Sequence, residues 1–464
     1  MVNTSRILVI GLDCASPILV FDKFKKSLEN LSHLAKNGVH GNLRTCHPPI
    51  TIPAWMVMCT GVDAGKLGIY GFRYRKPGDY TGIHIISSRS IKEKRIWDYL
   101  GENGFKSFVM GVPPSYPPYP VNGWMISCFL TPDTSRNPYT YPETLKSEIE
   151  SLVGRYIIDV EYRREDKEQM LKELYEMTDQ HFKVISHMLK TKNWDFFMFV
   201  EMGLDRIHHA FWKYFDKEHH LYEPGNPFES AIPEYYQHID EKIGEILDVV
   251  PKDTIVIVVS DHGVKRMKGA FCINQWLAEK GYLTLKEKPE KVIRFEEAKI
   301  DWEKTIAWGW GGYYARVFIN LKGREKKGTV PKSRYEEVRE ELINEFKSIK
   351  GPNGETWKTK AYRPEELYSE CRGYPPDLMV YFDDLYWRSA GTIGHETMYL
   401  PENDTGPDDA VHDWNGIFIL YDPEERFQGK LELNIADITP IVLNLMKVKA
   451  PENLDGTLPE KLSL

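Results

Sequence analysis

Three short runs of apolar residues constrain the fold of this chain more than any other feature. They are Ile7–Leu12, Phe196–Glu201 and Thr254–Ser260, and none of them alternates apolar with polar residues. Such strands are buried on both faces, which is typical of a parallel sheet with helices on either side. Segments with helical periodicity lie between the runs. The sequence therefore predicts an α/β fold with a mostly parallel central sheet and helices on both faces.

The remaining segments suggest how the chain is divided. Val20–Lys36 and Met170–Lys190 are predicted as amphipathic helices that cover the sheet. The stretch from 264 to 409 has a different character, with a Trp-rich segment, a basic run and a helix of its own. We therefore expect a catalytic α/β core formed by residues 1–263 and 410–464, and a capping insertion at 264–409.

Composition excludes several classes of protein. Apolar residues make up 42% of the 464 residues and charged residues 28%, as in an ordinary globular protein, and the formal net charge of -8 gives no sign of a nucleic-acid partner. The apolar runs are too short to span a membrane. We see no signal peptide, and the six cysteines form no C-x-x-C pair. The expectation is a cytoplasmic protein with free thiols and an unknown oligomeric state.

Acidic residues follow the predicted strands where each strand ends. Asp13 comes directly after the first strand, Asp205 lies just past the second, and Asp261 with His262 follows the third. The carboxyl ends of parallel strands meet at one edge of a sheet, where ligands usually bind. Carboxylates gathered there repel one another unless cations hold them.

Two further histidines complete a set of metal ligands. His209 lies four residues after Asp205, on the same face of a helix, and His412 precedes the predicted strand Gly416–Tyr421. Asp and His side chains suit Zn²⁺ or Mn²⁺. With one ionised hydroxyl the three carboxylates carry a charge of -4, which two divalent ions balance.

Thr51 is the candidate for that hydroxyl. It lies in the segment Pro48–Trp55, where the chain passes from a strand into a helix. Metal coordination lowers the pKa of a threonine hydroxyl and makes it a nucleophile, and the N–H groups of a helix N-terminus favour an incoming phosphate.

Each residue also has an ordinary structural interpretation. Thr51 and Asp205 could cap helices, Asp13 could sit in a turn, and His412 could be a polar loop residue. Asp261-His262-Gly263 after a buried strand is harder to explain without function. The joint occurrence at successive strand ends favours a functional site.

Taken together, these motifs resemble the alkaline phosphatase superfamily. The sequence is most similar to the type I phosphodiesterase/nucleotide pyrophosphatase branch and its prokaryotic phosphohydrolase or phosphomutase relatives. The matching pieces span nearly the whole chain: Gly11-Leu12-Asp13, Thr51-Ile52-Pro53-Ala54-Trp55, Thr60-Gly61, Gly68-Ile69, Asp205-x-x-x-His209, Ser260-Asp261-His262-Gly263, His412-x-x-x-Gly416 and Asp437-Ile438-Thr439-Pro440 with Asp455-Gly456.

The resemblance implies an alkaline phosphatase-like fold and a two-metal hydrolase. Thr51 would attack phosphorus and form a phosphothreonyl intermediate. Thr51 would also be a ligand of the first metal, which is held by Asp13, Asp261 and His262. The second metal ion would be held by the remaining candidates: Asp205, His209 and His412. The ions would be Zn²⁺, with Mn²⁺ as the alternative, and the substrate a small phosphate ester, with no membrane or stable nucleic-acid partner.

Several histidines compete for these positions. His208 neighbours His209 but lacks the spacing of four residues, and His395 competes with His412, which the following strand and its glycine favour. Surface roles are expected for His219, His220 and His238.

One position departs from the family pattern. Nucleotide pyrophosphatases carry an asparagine after the glycine-rich turn that binds the phosphoryl oxygen, and Phe72 stands in its place here. The backbone N–H of Thr51 and the side chain of Arg73 are the substitutes we expect. Aromatic residues of the insertion could form walls of the substrate pocket: Trp308, Trp310, Tyr313 and Tyr314.

Two alternatives stay open at this point, and the sequence argues against a third, a sulfatase. A sulfatase would need an arginine four residues after a cysteine or serine, and Cys46 is followed there by Ile50. A phosphomonoesterase or a phosphomutase of the same superfamily is the alternative, and Lys322-Gly323-Arg324 could bind a terminal phosphate. The rival from another class is a non-catalytic metal-binding scaffold protein. We expect a phosphodiesterase, because all seven site positions are filled.

Overall fold

The computed structural model describes residues 6–464, and residues 1–5, where a signal peptide would begin, lie outside the described part. The helices are α1 Glu29–Lys36, α2 Thr51–Thr60, α3 Ala64–Leu67, α4 Ile96–Glu102, α5 Leu145–Val153, α6 Lys167–Thr191, α7 Gly203–Phe215, α8 Ala231–Leu247, α9 Ile273–Glu279, α10 Tyr335–Ser348, α11 Pro364–Leu367 and α12 Ile438–Leu445. The strands are β1 Ile7–Leu12, β2 Val39–Arg44, β3 Arg73–Tyr74, β4 His84–Ile85, β5 Ser107–Met110, β6 Gly123–Ile126, β7 Thr140–Tyr141, β8 Phe196–Glu201, β9 Ile255–Val259, β10 Gly263–Arg266, β11 Gly269–Cys272, β12 Ala307–Trp310, β13 Ala315–Ile319, β14 Lys360–Tyr362, β15 Leu378–Tyr381, β16 Trp387–Ala390, β17 Tyr399–Leu400, β18 Ala410–Asp413, β19 Asn415–Tyr421, β20 Gly429–Lys430 and β21 Leu433–Asn434.

The central sheet has the order β20-β2-β19-β9-β1-β8-β5-β6-β7, and β21 also pairs with β2. The strands β9, β1, β8, β5 and β6 run parallel, with Leu12 opposite Glu201 and Gly11 opposite Val259. The strand β19 is antiparallel to both neighbours, β2 and β9. The predicted α/β fold with a mostly parallel sheet is therefore confirmed, with β19 antiparallel near its centre and β7 antiparallel at one edge.

Both faces of the sheet are covered, as the unalternating apolar strands predict. In β1, Leu8 and Ile10 belong to one apolar core, which α6, α7 and α8 cover. Ile7 and Val9 point to the other, which holds α2 and α12. Full burial on both faces removes the reason for polar residues at alternate positions.

The segment 264–409 contains a second sheet in the order β12-β13-β15-β14. Its apolar residues form a core of their own, which includes Phe271, Trp308, Phe346 and Phe382. The division into a core and a capping insertion stays a prediction.

Two predicted elements differ from the structure. The single helix predicted at Val20–Lys36 is a π-helix at Ile18–Lys23 followed by α1, because the Ser27 hydroxyl donates to the Phe24 carbonyl and the chain turns there. His412 lies within its own strand, β18, which pairs with β10 ahead of β19. Within residues 6–464, no helix is long and apolar enough to cross a membrane.

Candidate active site

The site lies where β1, β8 and β9 end side by side. Asp13 follows β1, and Asp261 and His262 follow β9, which pairs with β1. Asp205 and His209 lie one turn apart on α7, which begins two residues after β8. The parallel pairing thus brings segments almost 250 residues apart to one edge of the sheet.

Two local backbone features shape this edge. Gly11 has no side chain, and a Cβ there would lie 2.7 Å from the Trp55 ring. Trp55 can therefore lie against β1, where its indole N–H donates to Asp13 Oδ2 at 2.7 Å. Cys14 adopts a left-handed backbone conformation with φ of 67°, which few residues other than glycine favour. Its N–H donates to Asp261 Oδ1 at 3.1 Å.

The first group of side chains surrounds His262. Its Nε2 lies 3.1 Å from Asp261 Oδ2 and 3.9 Å from Asp13 Oδ1. Thr51 begins the buried helix α2, and its hydroxyl lies 3.5 Å from the same Nε2. A hydroxyl, two carboxylates and an imidazole nitrogen therefore meet at one point.

The second group surrounds Asp205. Asp205 Oδ1 lies 3.2 Å from His209 Nε2 and 3.8 Å from His412 Nε2, and the two imidazole nitrogens are 3.3 Å apart. The groups are contiguous, because the His262 and His412 rings stack with centroids 3.7 Å apart. The structure brings all seven predicted positions together.

The three carboxylates share one hydrogen-bonding pattern. Within the described chain, each of them has one oxygen held by a donor and one buried oxygen without a hydrogen-bond partner. Asp13 accepts a hydrogen bond from the Trp55 indole N–H, Asp261 from the N–H of Cys14, and Asp205 from the Arg206 guanidinium.

The three imidazoles show the complementary pattern. Each uses Nδ1 for a bond to the surrounding protein: His209 to Asp408, His262 to the Gly263 carbonyl and His412 to the Pro49 carbonyl. A carbonyl only accepts, so the Nδ1 of His262 and His412 must donate, which leaves each Nε2 with a lone pair in the neutral ring. Three free oxygens and three Nε2 atoms thus converge, as metal ligands with oriented second partners do.

The electrostatics of the site favour added positive charge. Burial, reinforced by the charges of Asp261 and Asp205, raises the pKa of Asp13 well above its usual range. Burial acts to lower the pKa of His262, but the charges of Asp261 and Asp13 raise it to about 9. At His209, burial likewise acts to lower the pKa, but the charges of Asp408 and Asp205 raise it to about 9. Divalent ions can replace such protons, so the residues fit a metal centre.

A cavity of about 670 Å³ opens onto this centre. Thr51, Asp205 and His412 line it, and so do Phe72 and Tyr313. The Tyr313 ring stacks on His412 at 3.8 Å, and its hydroxyl lies 3.2 Å from His209 Nε2. The segment 264–409 therefore contributes directly to the site.

The structure separates the competing residues. His395 Nε2 contacts the Thr392 hydroxyl at 2.8 Å and belongs to neither group, and His208 is buried beside Trp212. The surface role predicted for His219 is wrong, because its side chain is buried and its Nε2 contacts the Asp409 carbonyl.

Not all residues expected to line the pocket or to bind phosphate do so. Trp310, Tyr313 and Tyr314 line the cavity, whereas Trp308 is fully buried in the apolar core of segment 264–409. Arg73 lines the cavity, but Arg324 is engaged by Asp377 and Glu325.

Three site residues were missed by sequence reasoning. Cys14 lies with Asp205 and His209 in a group whose ligand atoms are within 4.8 Å of one another. Arg206 donates to Asp205 and binds Asp159 through two nitrogens. The third is Asp408, which alone carried a signal, as an acidic residue four positions before His412. Tyr313 was expected as a pocket wall, but its contacts with His209 and His412 were not.

The fold and the geometry define a class of protein, an α/β protein with a candidate metal centre at the carboxyl edge of its sheet. The sequence profile of the type I phosphodiesterase/nucleotide pyrophosphatase family matches residues 7–408. The chain belongs to this metal-dependent family and is a phosphodiesterase.

Solved structures give a consistent answer for the fold. Murine ectonucleotide pyrophosphatase/phosphodiesterase 5, in an inactive form in complex with AMP, is similar with a TM-score of 0.56 and 13% identity over 97% of both chains. The human protein of the same name is similar with a TM-score of 0.55 and 14% identity over 97% of both chains. No curated protein matches the sequence. The expected alkaline phosphatase superfamily membership is confirmed.

Proposed function

We propose that the protein hydrolyses small phosphoric diesters with Thr51 as the nucleophile and two divalent metal ions as cofactors. The observation that carries the proposal is the convergence of three free carboxylate oxygens and three Nε2 atoms beside the Thr51 hydroxyl. Seven ligand atoms suffice for two ions, one with four protein ligands and one with three and an open position.

We assign the ligands to the two ions as the family resemblance implies, although the ligand atom of His262 also lies within 4.8 Å of those of Asp205 and His412. Asp13, Asp261 and His262 would hold the first, with Thr51 as its fourth ligand. Asp205, His209 and His412 would hold the second. When bound, the ions would lower the pKa of the attacking hydroxyl and offset negative charge on the phosphoryl group.

The residues of the chain then perform a double displacement. Thr51 Oγ1 forms a bond to phosphorus while the bond to the leaving oxygen breaks, and a phosphothreonyl group results. Water then cleaves that group, releases the phosphomonoester and restores Thr51. Because Thr51 begins α2, the free N–H groups of that helix end face the phosphoryl oxygens.

The donor set favours Zn²⁺ over Mn²⁺. Three imidazole nitrogens serve the site, and the thiol of Cys14 lies in the same group as Asp205 and His209. Nitrogen and sulfur suit Zn²⁺, whereas Mn²⁺ prefers oxygen.

The cavity favours diesters over monoesters. Its volume of about 670 Å³ exceeds the space that one phosphate needs and lies in the range of small-molecule sites. Phe72 and Phe129 form an apolar wall, with ring centroids 6.0 Å apart, against which a second alcohol could lie. In this proposal residues 264–409 act as the capping insertion. The six free cysteines support a reducing, cytoplasmic location.

The test compares two chromogenic esters on metal-stripped protein refilled with Zn²⁺ or Mn²⁺. We expect faster release from bis-p-nitrophenyl phosphate than from p-nitrophenyl phosphate, and loss of at least ~100-fold in kcat for Thr51→Ala with its metal content retained. Thr60→Ala, at the other end of α2, is the matched control. Full activity of Thr51→Ala would exclude this nucleophile, and a preference for the monoester would indicate a phosphomonoesterase or a phosphomutase.

A further inference from the structure

The cavity wall carries an excess of positive charge. Six arginines and four carboxylates line the cavity within the described residues. Three of these arginines have carboxylate partners: Arg163 and Arg388 bind Asp408, and Arg206 binds Asp159 and Asp205. Each of these three guanidinium groups is therefore held by at least one carboxylate of the protein.

The other three arginines differ from these. Within residues 6–464, no guanidinium of Arg316, Arg73 or Arg294 has a carboxylate oxygen within 4.0 Å, although all three line the cavity. Of these, Arg316 and Arg73 lie next to each other. Arg316 donates from one terminal nitrogen to the Arg73 carbonyl, and its guanidinium carbon lies 4.9 Å from the centre of the Trp310 ring. That hydrogen bond and the aromatic face hold Arg316 in place and leave its other N–H groups without protein acceptors.

The turn that contains Gly71 lies beside Arg316 and shares a cavity with the proposed nucleophile. Gly71 lines the same cavity as Thr51, and a Cβ on it would lie 3.5 Å from a terminal nitrogen of Arg316. Burial lowers the pKa of Arg316, and the charge of Arg73 lowers it further. An anion placed between them would relieve both effects.

The carboxylates of the wall do not offset this charge. Asp404 is occupied by the N–H groups of Gly391 and Thr392 and by the Thr392 hydroxyl. Glu296 lies on the exposed rim, two residues from Arg294, which also lines the cavity. Neither carboxylate is within ion-pair distance of Arg316 or Arg73.

We propose that Arg316 and Arg73 form a subsite for a second phosphate group of the substrate, separate from the phosphoryl group at Thr51. For Arg73 this role replaces the contact with the reacting phosphoryl group that the sequence led us to expect. The inference rests on the proposed function and narrows it to phosphodiesters that carry a further phosphate on one arm. A guanidinium with free N–H groups binds phosphate through paired, charge-assisted hydrogen bonds. A diester with no phosphate beyond the scissile group would leave both arginines without an anionic partner.

The experiment measures binding instead of turnover. Isothermal titration of the metal-loaded enzyme compares alkylphosphonates with α,ω-alkane bisphosphonates of three to six carbons, because the chain series covers the distance between the subsites. We expect the second phosphonate to tighten binding about 10-fold or more at one chain length. That ratio should fall below about 3-fold in Arg316→Gln and be partly retained in Arg316→Lys.

Two variants separate the subsite from a structural role. Arg73→Gln keeps the backbone carbonyl that Arg316 contacts, so a lower ratio in this variant reports lost charge. Arg136→Gln is the control, since its side chain is 86% exposed and lies outside the cavity; it should keep the wild-type ratio. Equal affinities at every chain length, or a ratio unchanged in both Arg316→Gln and Arg73→Gln, would overturn the subsite alone. Failure of all phosphonates to bind would overturn the phosphoryl site and the subsite together.

Discussion

Replacing Asp408 by asparagine removes one negative charge from a position that supports the metal centre without being a ligand. Asp408 is buried, and its Oδ1 accepts a 2.7 Å hydrogen bond from His209 Nδ1. Its Oδ2 accepts from Arg163 and Arg388. Asparagine keeps the size of the side chain, but its amide cannot match both the imidazole and the guanidinium groups.

The magnitude follows from these contacts. A carboxylate that orients a ligating imidazole is worth about 10–100-fold in metal affinity, or about 1.4–2.7 kcal/mol. The stability of the metal-free protein should also fall by about 3 kcal/mol, because Arg388, 5% exposed, loses its buried partner. We expect weaker Zn²⁺ binding and a lower denaturation midpoint together.

The assay is competition for Zn²⁺ against a chromogenic chelator, with denaturant unfolding of the same samples. Asp422→Asn is the matched control, because Asp422 is buried and paired with Arg426 but lies in neither ligand group. It should lose stability and keep its Zn²⁺ affinity. Unchanged affinity in Asp408→Asn would refute the reasoning that Asp408 positions His209.

Three further predictions concern single side chains. Asp205→Ala should lower the metal content from two ions to one per chain, which atomic absorption measures; unchanged content would remove Asp205 from the site. Trp55→Phe removes the N–H that holds Asp13 and should weaken Zn²⁺ binding about 10-fold, whereas Trp97→Phe, equally buried, should not. Burial, with the charge of His220, lowers the pKa of His219 to about 4. The neutral His219 ring makes its full contribution to stability above the pKa of about 6.5 that it has in the unfolded chain. About 3 kcal/mol of the free energy of unfolding is lost as the pH falls to 4, because the unfolded chain binds the proton first. Unfolding of wild type and His219→Gln between pH 7 and 4 should show that difference, and parallel curves would contradict it.

Much of the fold and the ligand set could be predicted because the signals are local. An apolar strand that does not alternate predicts burial on both faces, and the residue after it must then lie at the carboxyl edge of the sheet. Asp13 and Asp261 follow from that rule, and the spacing of four residues on a helix adds His209 to Asp205. His412 was identified by its position ahead of the strand Gly416–Tyr421 and by the family resemblance, whereas no local pattern indicated its own strand, β18, which pairs with β10.

The contacts that orient the ligands could not be predicted, because they join distant segments. Asp408 reaches His209 across 199 positions, and His219 becomes buried only by contact with the Asp409 carbonyl. Local polarity misled in the second case, since charged neighbours normally indicate a solvated surface. Such pairings depend on where loops cross, which sequence spacing does not specify.

The distribution of residues along the chain separates the chemistry from substrate choice. The proposed metal ligands and the nucleophile lie directly after strands of the central sheet, on the helices α2 and α7 that pack on it, or on the neighbouring strand β18. Tyr313 and Arg316, which reach into the cavity, come from the segment between β12 and β13 and from β13 itself. A change in that segment can alter which arm of a diester fits without moving Thr51 or the carboxylates. We therefore expect substitutions at Arg316 to act on ligand preference, and substitutions at Asp13 or Asp205 to act on metal content, so the two properties can be tested independently in one protein.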